Sequence, residues 1–434
     1  MIITIIIAKL TALVLRLFNR GATSLPGKIA LKLKYDILTK LSRGTKIICV
    51  TGTNGKTTTC ALIEHALKSE NRPYFINKSG ANMLSGVTTA FIMNSTVFGR
   101  CKKEIAILEC DENSLPLISR YIDAKALVVT NVFRDQLDRY GEVTHTLSKI
   151  KSGIDNIPEC ILFLNADDPL SSSLRKTCKN KTVTFGINAN LNAPAVSDSR
   201  YCPFCSAELK YKSHTISQLG DFFCPECKFG RSAPDYEISD ISKTGFIING
   251  RLASTSLGGL YNLYNFCAAA AVINELKIGK TEELCTFKGA FGRMESFDNN
   301  GKTVLLLLVK NPAGLTSCIN YICSVKGGLD MAFALNDNDA DGRDISWIWD
   351  SDFCRINEKC KSIYTVGTRS LDMALRLKYD GIKTTQIIDG EDYKRLISLI
   401  KNSENDFVIF STYTAMMKMR KLFINTFGGR EFWE

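Results

Sequence analysis

Histidine is scarce in this chain: His65, His145 and His214 are the three among 434 residues. No cysteine stands in a Gly-x-Cys-x-Gly elbow, and residue 2 is Ile2, which offers no N-terminal nucleophile. A thiol-based glutaminase needs an activated cysteine with a histidine base, so these absences exclude that activity for the chain alone. A lysine-rich tail and interleaved aromatic and basic residues are also missing, which speaks against a nucleic-acid module. The first 18 residues lack the basic start and small-residue cleavage site of a secretory signal.

What is present is a soluble-protein composition, 45% hydrophobic and 23% charged, with a net charge of +11. That length allows two or three domains, and the charge favours anionic partners such as nucleotides or anionic lipid. Most of the sixteen cysteines are scattered singly through apolar segments, as at Cys49, Cys110, Cys267 and Cys318. Free buried thiols of this kind belong to a reducing compartment, so the expected location is cytoplasmic, with the inner face of the membrane as the alternative seat.

The organising stretch is Lys46-Ile-Ile-Cys-Val-Thr-Gly-Thr-Asn-Gly-Lys-Thr-Thr-Thr59. Ile47 to Val50 reads as a buried parallel strand because it does not alternate with polar residues. Gly52 and Gly55 let the backbone turn and approach a ligand, and Lys56 opens a helix running to Lys68. Strand, glycine loop and helix N-terminus form an anion site. Lys56 adds a charge for phosphates, and the Thr57 hydroxyl is placed for Mg2+. The Gly52–Thr58 loop, shorter than the standard P-loop, is expected to grip a nucleotide.

Ahead of this loop, residues 1–18 read as a helix in which Lys9, Arg16 and Arg20 fall within about 60 degrees of one another. Such an amphipathic helix either packs on the protein's own body or lies at a membrane surface. Beyond the loop, apolar runs end in polar residues: Ile105–Leu108 at Glu109-Cys-Asp-Glu112, Ala126–Val129 at Thr130-Asn131, and Cys160–Leu164 at Asn165-Ala-Asp-Asp168. Ligands bind at the C-terminal ends of strands in an open α/β sheet, so Glu109, Asn131 and Asp167 are expected at one edge.

The rhythm stops between about residues 188 and 232. Cys202-Pro-Phe-Cys205 and Cys224-Pro-Glu-Cys227, with eighteen residues between the pairs, supply four thiolates for a structural zinc ribbon, since four cysteines leave no open coordination position. Disulfides or a redox pair are the competing readings. The turn cluster at 298–302 is the expected domain boundary, and five further strands alternating with helices predict a small doubly wound unit. Within it, the acidic stretch 336–353 carries two tryptophans and reads as a solvated turn or a docking surface. The expected organisation is therefore residues 1–44 as helix and connector, 45–298 as an α/β nucleotide domain with an insertion at about 198–232, and 299–434 as a second α/β domain.

These motifs, with Tyr261-Asn-Leu-Tyr-Asn265 and Gly292-Arg293, resemble the Mur ligase superfamily of ATP-dependent amide ligases over nearly all of the chain after about residue 40. The cysteine insertion, the segment Thr130 to Gly141, Lys310-Asn-Pro, and the segment Gly367 to Tyr379 are similar to the branch that amidates lipid II. Gln136 stands where the superfamily has a metal-site histidine, and Lys310 where it has His-Asn-Pro. The early ligases carry an N-terminal uridine-nucleotide domain that 45 residues cannot form, which implies a substrate already on a lipid carrier.

The resemblance implies ATP bound by Thr53, Asn54, Gly55, Lys56, Thr57 and Thr58, with Asn265 and Arg293 contacting the nucleotide. Thr57 and Glu109 would hold Mg2+, and Lys56 would neutralise the transferring phosphoryl group. The carboxylate implied is the α-carboxyl of D-glutamate in the lipid II stem peptide, converted through an acyl phosphate to D-isoglutamine by ammonia. A GatD-like glutaminase subunit would supply the ammonia in a heterodimer, with Asp350, or else Asp344, completing the partner's Cys–His pair. A peptide ligase adding an amino acid without an ammonia partner, and a non-catalytic P-loop scaffold, are the other classes considered.

Overall fold

The computed structural model describes residues 1–18, 22–77, 80–133, 143–189, 200–242, 244–287, 294–324, 327–351, 353 and 356–428. The described residues form two compact units, one comprising 1–133 and 143–287 and the other running from residue 294 to the C-terminal side.

The first unit opens with helices α1 (Ile2–Leu17), α2 (Leu25–Leu33) and α3 (Ile37–Leu41). The main sheet then begins with β1 (Lys46–Thr51), β2 (Tyr74–Ile76), β3 (Ile105–Glu109), β4 (Ala124–Val129), β5 (Ile161–Asn165) and β6 (Thr182–Ile187). A separate antiparallel hairpin, β7 (Lys210–Ile216) and β8 (Leu219–Phe223), precedes the sheet's last strands β9 (Tyr236–Ser239), β10 (Phe246–Ile248) and β11 (Arg251–Ala253).

Strand order is β11-β10-β9-β6-β5-β4-β1-β3-β2, parallel from β9 to β2 and antiparallel at the β10 and β11 edge. β1 is central because Ile47, Ile48, Cys49 and Val50 are all fully buried. Each such side chain contributes about 1.5–3 kcal/mol by leaving water. β1 pairs with β3 on one side and β4 on the other, so the chain's crossovers diverge at its C-terminal end. That divergence opens the crevice in which open α/β sheets bind ligands. Two helices pack on this region: α4 (Lys56–Ser69) and the Leu260–Glu275 helix. The latter seats closely because Ala268 to Ala271 are wholly buried.

The second unit has the strand order β12-β13-β17-β14-β15-β16, for β12 (Met294–Asn299), β13 (Lys302–Leu308), β14 (Leu329–Ala334), β15 (Cys360–Val366), β16 (Gln386–Ile387) and β17 (Phe407–Ser411). All neighbours are parallel except β12 with β13. The five expected strands are present, and β12 is an addition. It corrects the boundary expected at 298–302: those residues form the tight turn of the β12–β13 hairpin, with Asn300 and Gly301 at positive φ. A turn cluster marks a change of chain direction, and here both arms belong to one sheet.

Helix α1 packs on the protein's own body, against α2 and the Leu84–Met93 helix, but its expected cationic stripe needs correction. Thr4, Ile5, Ala8 and Ala12 form the buried ridge, while Lys9 turns inward to donate to the Ser95 carbonyl. The outer face is aliphatic rather than cationic.

Candidate active site

The loop after β1 is shaped by its two glycines. Gly52 has φ +117°, and a Cβ there would lie 2.4 Å from Thr130 Oγ1 and 2.7 Å from the Asn131 carbonyl. Gly55 has φ +90°, and a Cβ there would lie 2.1 Å from Asn265 Oδ1. Any other residue would be strained in backbone and blocked in space. Gly55 caps α4 at its N-terminus, where the first N–H groups of a helix have no partner within the helix.

Polar strand ends hold the loop in place. Asn54 N–H donates to Asn131 Oδ1 at 3.0 Å, and Asn131 Nδ2 returns a bond to the Asn54 carbonyl at 3.0 Å. Thr130 Oγ1 donates to the same carbonyl at 2.7 Å. Thr53 Oγ1 accepts from Phe133 N–H and donates to the Phe133 carbonyl. Asn265 sits against Gly55, 3.4 Å from Thr59 Oγ1, as a wall of the loop.

The chemical groups lie just beyond. Lys56 is buried, and its Nζ donates to the Gly52 carbonyl at 2.5 Å and to Glu112 Oε1 at 2.6 Å. Thr57 Oγ1 donates to Glu109 Oε2 at 2.8 Å. A hydroxyl and a carboxylate converging at the mouth of a phosphate loop are the oxygen donors Mg2+ takes, with its remaining positions filled by water and phosphate. Asn77 fixes Glu109: its Oδ1 accepts from Glu109 N–H at 2.8 Å, and its Nδ2 donates to the Glu109 carbonyl at 2.9 Å.

Glu112 and Asn77 are the residues that sequence reasoning missed. Glu112 was visible in the acidic strand end, but nothing in its spacing aimed it at Lys56. Asn77 is a lone amide after a short edge strand, with no motif around it.

Asp167 departs from expectation. It is fully buried and faces away from the loop, accepting from Arg231 Nε at 2.6 Å, Tyr264 Oη at 2.7 Å and Ile187 N–H at 2.8 Å. Burial pushes its pKa up, while the Arg231 guanidinium draws it down. Its role is structural, since its oxygens are engaged by Arg231, Tyr264 and the Ile187 N–H. Its neighbour Asp168 accepts from Val132 N–H at 2.7 Å and from Gln218 Nε2 at 2.9 Å, and burial raises its pKa to about 6.

Gln218 belongs to the cysteine hairpin. It is fully buried at the β7–β8 tip and also donates to the Val132 carbonyl at 3.0 Å. The inserted module is thus tied by one side chain to the segment that braces the phosphate loop. At its other end, the sulfur atoms of Cys202, Cys205, Cys224 and Cys227 lie within 4.8 Å of one another. The closest pairs are Cys202 with Cys227 at 3.5 Å and Cys205 with Cys224 at 3.4 Å. A disulfide would bring two sulfurs to about 2 Å, whereas tetrahedral zinc at about 2.3 Å from each sulfur separates them by roughly 3.8 Å. The four thiols therefore fit a metal ion and are not paired as disulfides. Cys227 N–H donates to Cys224 Sγ and holds that thiol down to about 7, toward the thiolate a metal requires. Burial pushes Cys202 up, to about 12.

In the second unit, Asp344 Oδ1 accepts from Ser346 N–H at 2.8 Å, at the start of the 3-10 turn Ser346–Asp350. Asp350 ends that turn in an exposed position beside Trp349, which is 47% exposed and packs on Tyr379 and Arg376. Trp347 is buried. On the Ser370–Tyr379 helix, Leu371, Leu375 and Tyr379 form an exposed row at four-residue spacing. Arg293, expected at the nucleotide, and Gln136 lie outside the described residues.

A parallel-sheet nucleotide domain whose loop, lysine and strand-end carboxylates converge, followed by a second doubly wound unit, defines the Mur ligase class of fold. Comparison with known proteins agrees. Residues 50–273 match the Mur ligase middle domain, and residues 308–416 match the MurT ligase C-terminal family. Two similar proteins are subunits named MurT of lipid II isoglutaminyl synthase (glutamine-hydrolyzing). The one from Streptococcus pneumoniae is 36% identical over 94% of each chain, and the one from Staphylococcus aureus is 36% identical over 98% of each chain.

Among solved structures, a pseudomurein peptide ligase type C from Methanothermus fervidus is similar with TM-score 0.70 and 22% identity, covering 90% of this chain and 80% of that one. MurF ligase from Thermotoga maritima in complex with ADP is similar with TM-score 0.61 and 17% identity, covering 92% and 82%. The chain belongs to the MurT family of Mur ligases.

Proposed function

We propose that this chain is the ligase subunit of a lipid II isoglutaminyl synthase. It spends ATP on the α-carboxylate of D-glutamate in the lipid II stem peptide. Ammonia then displaces phosphate from the resulting acyl phosphate to leave D-isoglutamine. The observation that carries the reading is the convergence of Lys56, Thr57, Glu109 and Glu112 on one phosphate loop, in a chain alike over its whole length to subunits that bear this name.

ATP supplies the phosphoryl group that makes the carboxylate electrophilic. The residues' part is to position that group and offset its charge. The helix N-terminus and loop hold the phosphates, Thr57 and Glu109 hold Mg2+, and Lys56 moves from Glu112 to the transferring group. Asn265 and Arg293 contact the nucleotide.

The four cysteines hold a structural zinc ion. With three histidines and no nucleophile elbow, the chain takes its ammonia from a glutaminase partner. The row Leu371, Leu375 and Tyr379, with Trp349 and Asp350 at its side, is the surface offered to that partner. Asp350, exposed beside Trp349, completes the partner's Cys–His pair, with Asp344 as the alternative.

The test is the purified chain with ATP, Mg2+, lipid II and free ammonium, which bypasses the partner. Phosphate release with formation of an amidated lipid II is expected. Neither product forming would overturn the reading.

A further inference from the structure

Helix α1 is built inside out for a helix that meets only water and protein. Its buried ridge is Thr4, Ile5, Ala8 and Ala12, mostly small residues that let it lie close against α2 and α5 (Leu84–Met93). Its large aliphatic side chains face outward: Ile3 is 73% exposed, Leu10 54%, Leu13 55% and Leu17 75%. With Ile6 these residues fall within about 80 degrees on the helix surface. They form one continuous stripe rather than scattered exposures. An exposed apolar surface of this size marks an interaction site.

Charge selects the occupant. Residues 1–45 contain eight lysines and arginines and one acidic residue, Asp36. Most of the chain's net charge of +11 is therefore concentrated in the segment that carries the stripe. A protein partner for this face would need an apolar groove rimmed with acids. An anionic bilayer offers both components over any area. An aliphatic face on a segment rich in exposed cations, such as Arg16, Lys28 and Lys32, suits a helix lying in the plane of a membrane interface, where long basic side chains reach the headgroups. Among the described residues no helix is long and apolar enough to cross a membrane.

We propose that α1 is an interfacial helix that seats this chain on an anionic lipid surface. The inference goes beyond amidation and stands independently of it, since it concerns where the chain sits and not what it catalyses.

The test is flotation of the full-length chain with vesicles of phosphatidylglycerol and phosphatidylcholine, compared with phosphatidylcholine alone. Binding at least tenfold stronger to the anionic vesicles is expected, together with at least a tenfold loss in a Leu10→Glu, Leu13→Glu variant. Both leucines are largely exposed, so the variant should keep the wild-type circular dichroism spectrum and nucleotide affinity. If it does not fold, Arg16→Gln with Lys28→Gln replaces it and should weaken binding to anionic vesicles alone. Failure of the wild type to float, or equal binding to both vesicle types, overturns the proposal. So does a dimer in sedimentation that the glutamate substitutions dissociate, which would show a second copy covering the face.

Discussion

Lys56 Nζ lies 2.6 Å from Glu112 Oε1, and both side chains are withdrawn from solvent. A lysine so held must leave its carboxylate before it can meet a phosphate. Glu112→Gln weakens the hold while keeping an acceptor. The free protein should lose about 1–3 kcal/mol of stability, and ATP should bind several-fold more tightly. Saturating nucleotide should restore much of the lost thermal midpoint, since ligand at a hundred times its dissociation constant adds about 2.7 kcal/mol. Thermal unfolding with and without nucleotide measures both effects. Unchanged affinity would mean that the pair does not restrain Lys56.

The Thr57–Glu109 contact predicts a dependence on Mg2+. Glu109→Gln should lower ammonium-driven amidation on the order of a hundredfold and raise the Mg2+ concentration needed for half-maximal rate. Thr57→Ser should retain most activity, whereas Thr57→Val should behave like Glu109→Gln. Phosphate release followed across a Mg2+ titration separates these outcomes.

Gln218 links the cysteine module to the loop brace, so its loss should be felt away from the hairpin. Gln218→Ala leaves the Asp168 carboxylate and the Val132 carbonyl each short of a donor. It should cost about 1–3 kcal/mol and weaken ATP binding. Metal analysis should find one zinc per chain, and chelating it should lower the thermal midpoint in wild type more than in a chain already lacking Gln218. Equal effects in both proteins would uncouple the two features.

Asp168 gives a pH signature. Burial raises its folded pKa to about 6 from an ordinary 3.8, so the folded state holds a proton that the unfolded state releases. Stability from this group is present below pH 4 and is lost as pH rises through about 6. Relative to Asp168→Asn, the wild type should lose about 3 kcal/mol between pH 4 and pH 7. Chemical denaturation of both proteins at several pH values tests this, and parallel profiles would refute it.

Asp350→Asn should abolish glutamine-driven amidation in a complex with the glutaminase while leaving the ammonium-driven reaction of this chain. Asp344→Asn keeps an acceptor for the Ser346 N–H and should change stability by no more than about 0.5 kcal/mol, with glutamine use intact. Reversal of the two phenotypes would move the partner-facing role to Asp344.

Much of the fold was legible because buried parallel strands announce themselves as unbroken apolar runs, as Ile47–Val50 and Ala126–Val129 do. Glu109 could be placed because it directly ends such a run. Glu112 could not, since two residues lie between it and the strand, and periodicity says nothing about the direction of a turn. Asp167 and Asp168 show the same limit. They follow one strand in succession, yet one anchors the inserted hairpin and the other braces the Thr130–Phe133 segment. On α1 the small residues Thr4, Ala8 and Ala12 at four-residue spacing mark the protein side, a signal that the positions of Lys9 and Arg16 do not carry.

The buried carboxylate of Asp167 has a consequence for how this chain can change over evolution or by design. Its partners are drawn from three separated stretches, at Ile187, Arg231 and Tyr264. Arg231 lies within the inserted segment, so excising that segment would strip a charge in the interior of its cation. The insertion is therefore not a detachable ornament. It behaves as a keystone, and a trimmed version of this ligase would need Asp167 replaced by a neutral residue in the same step.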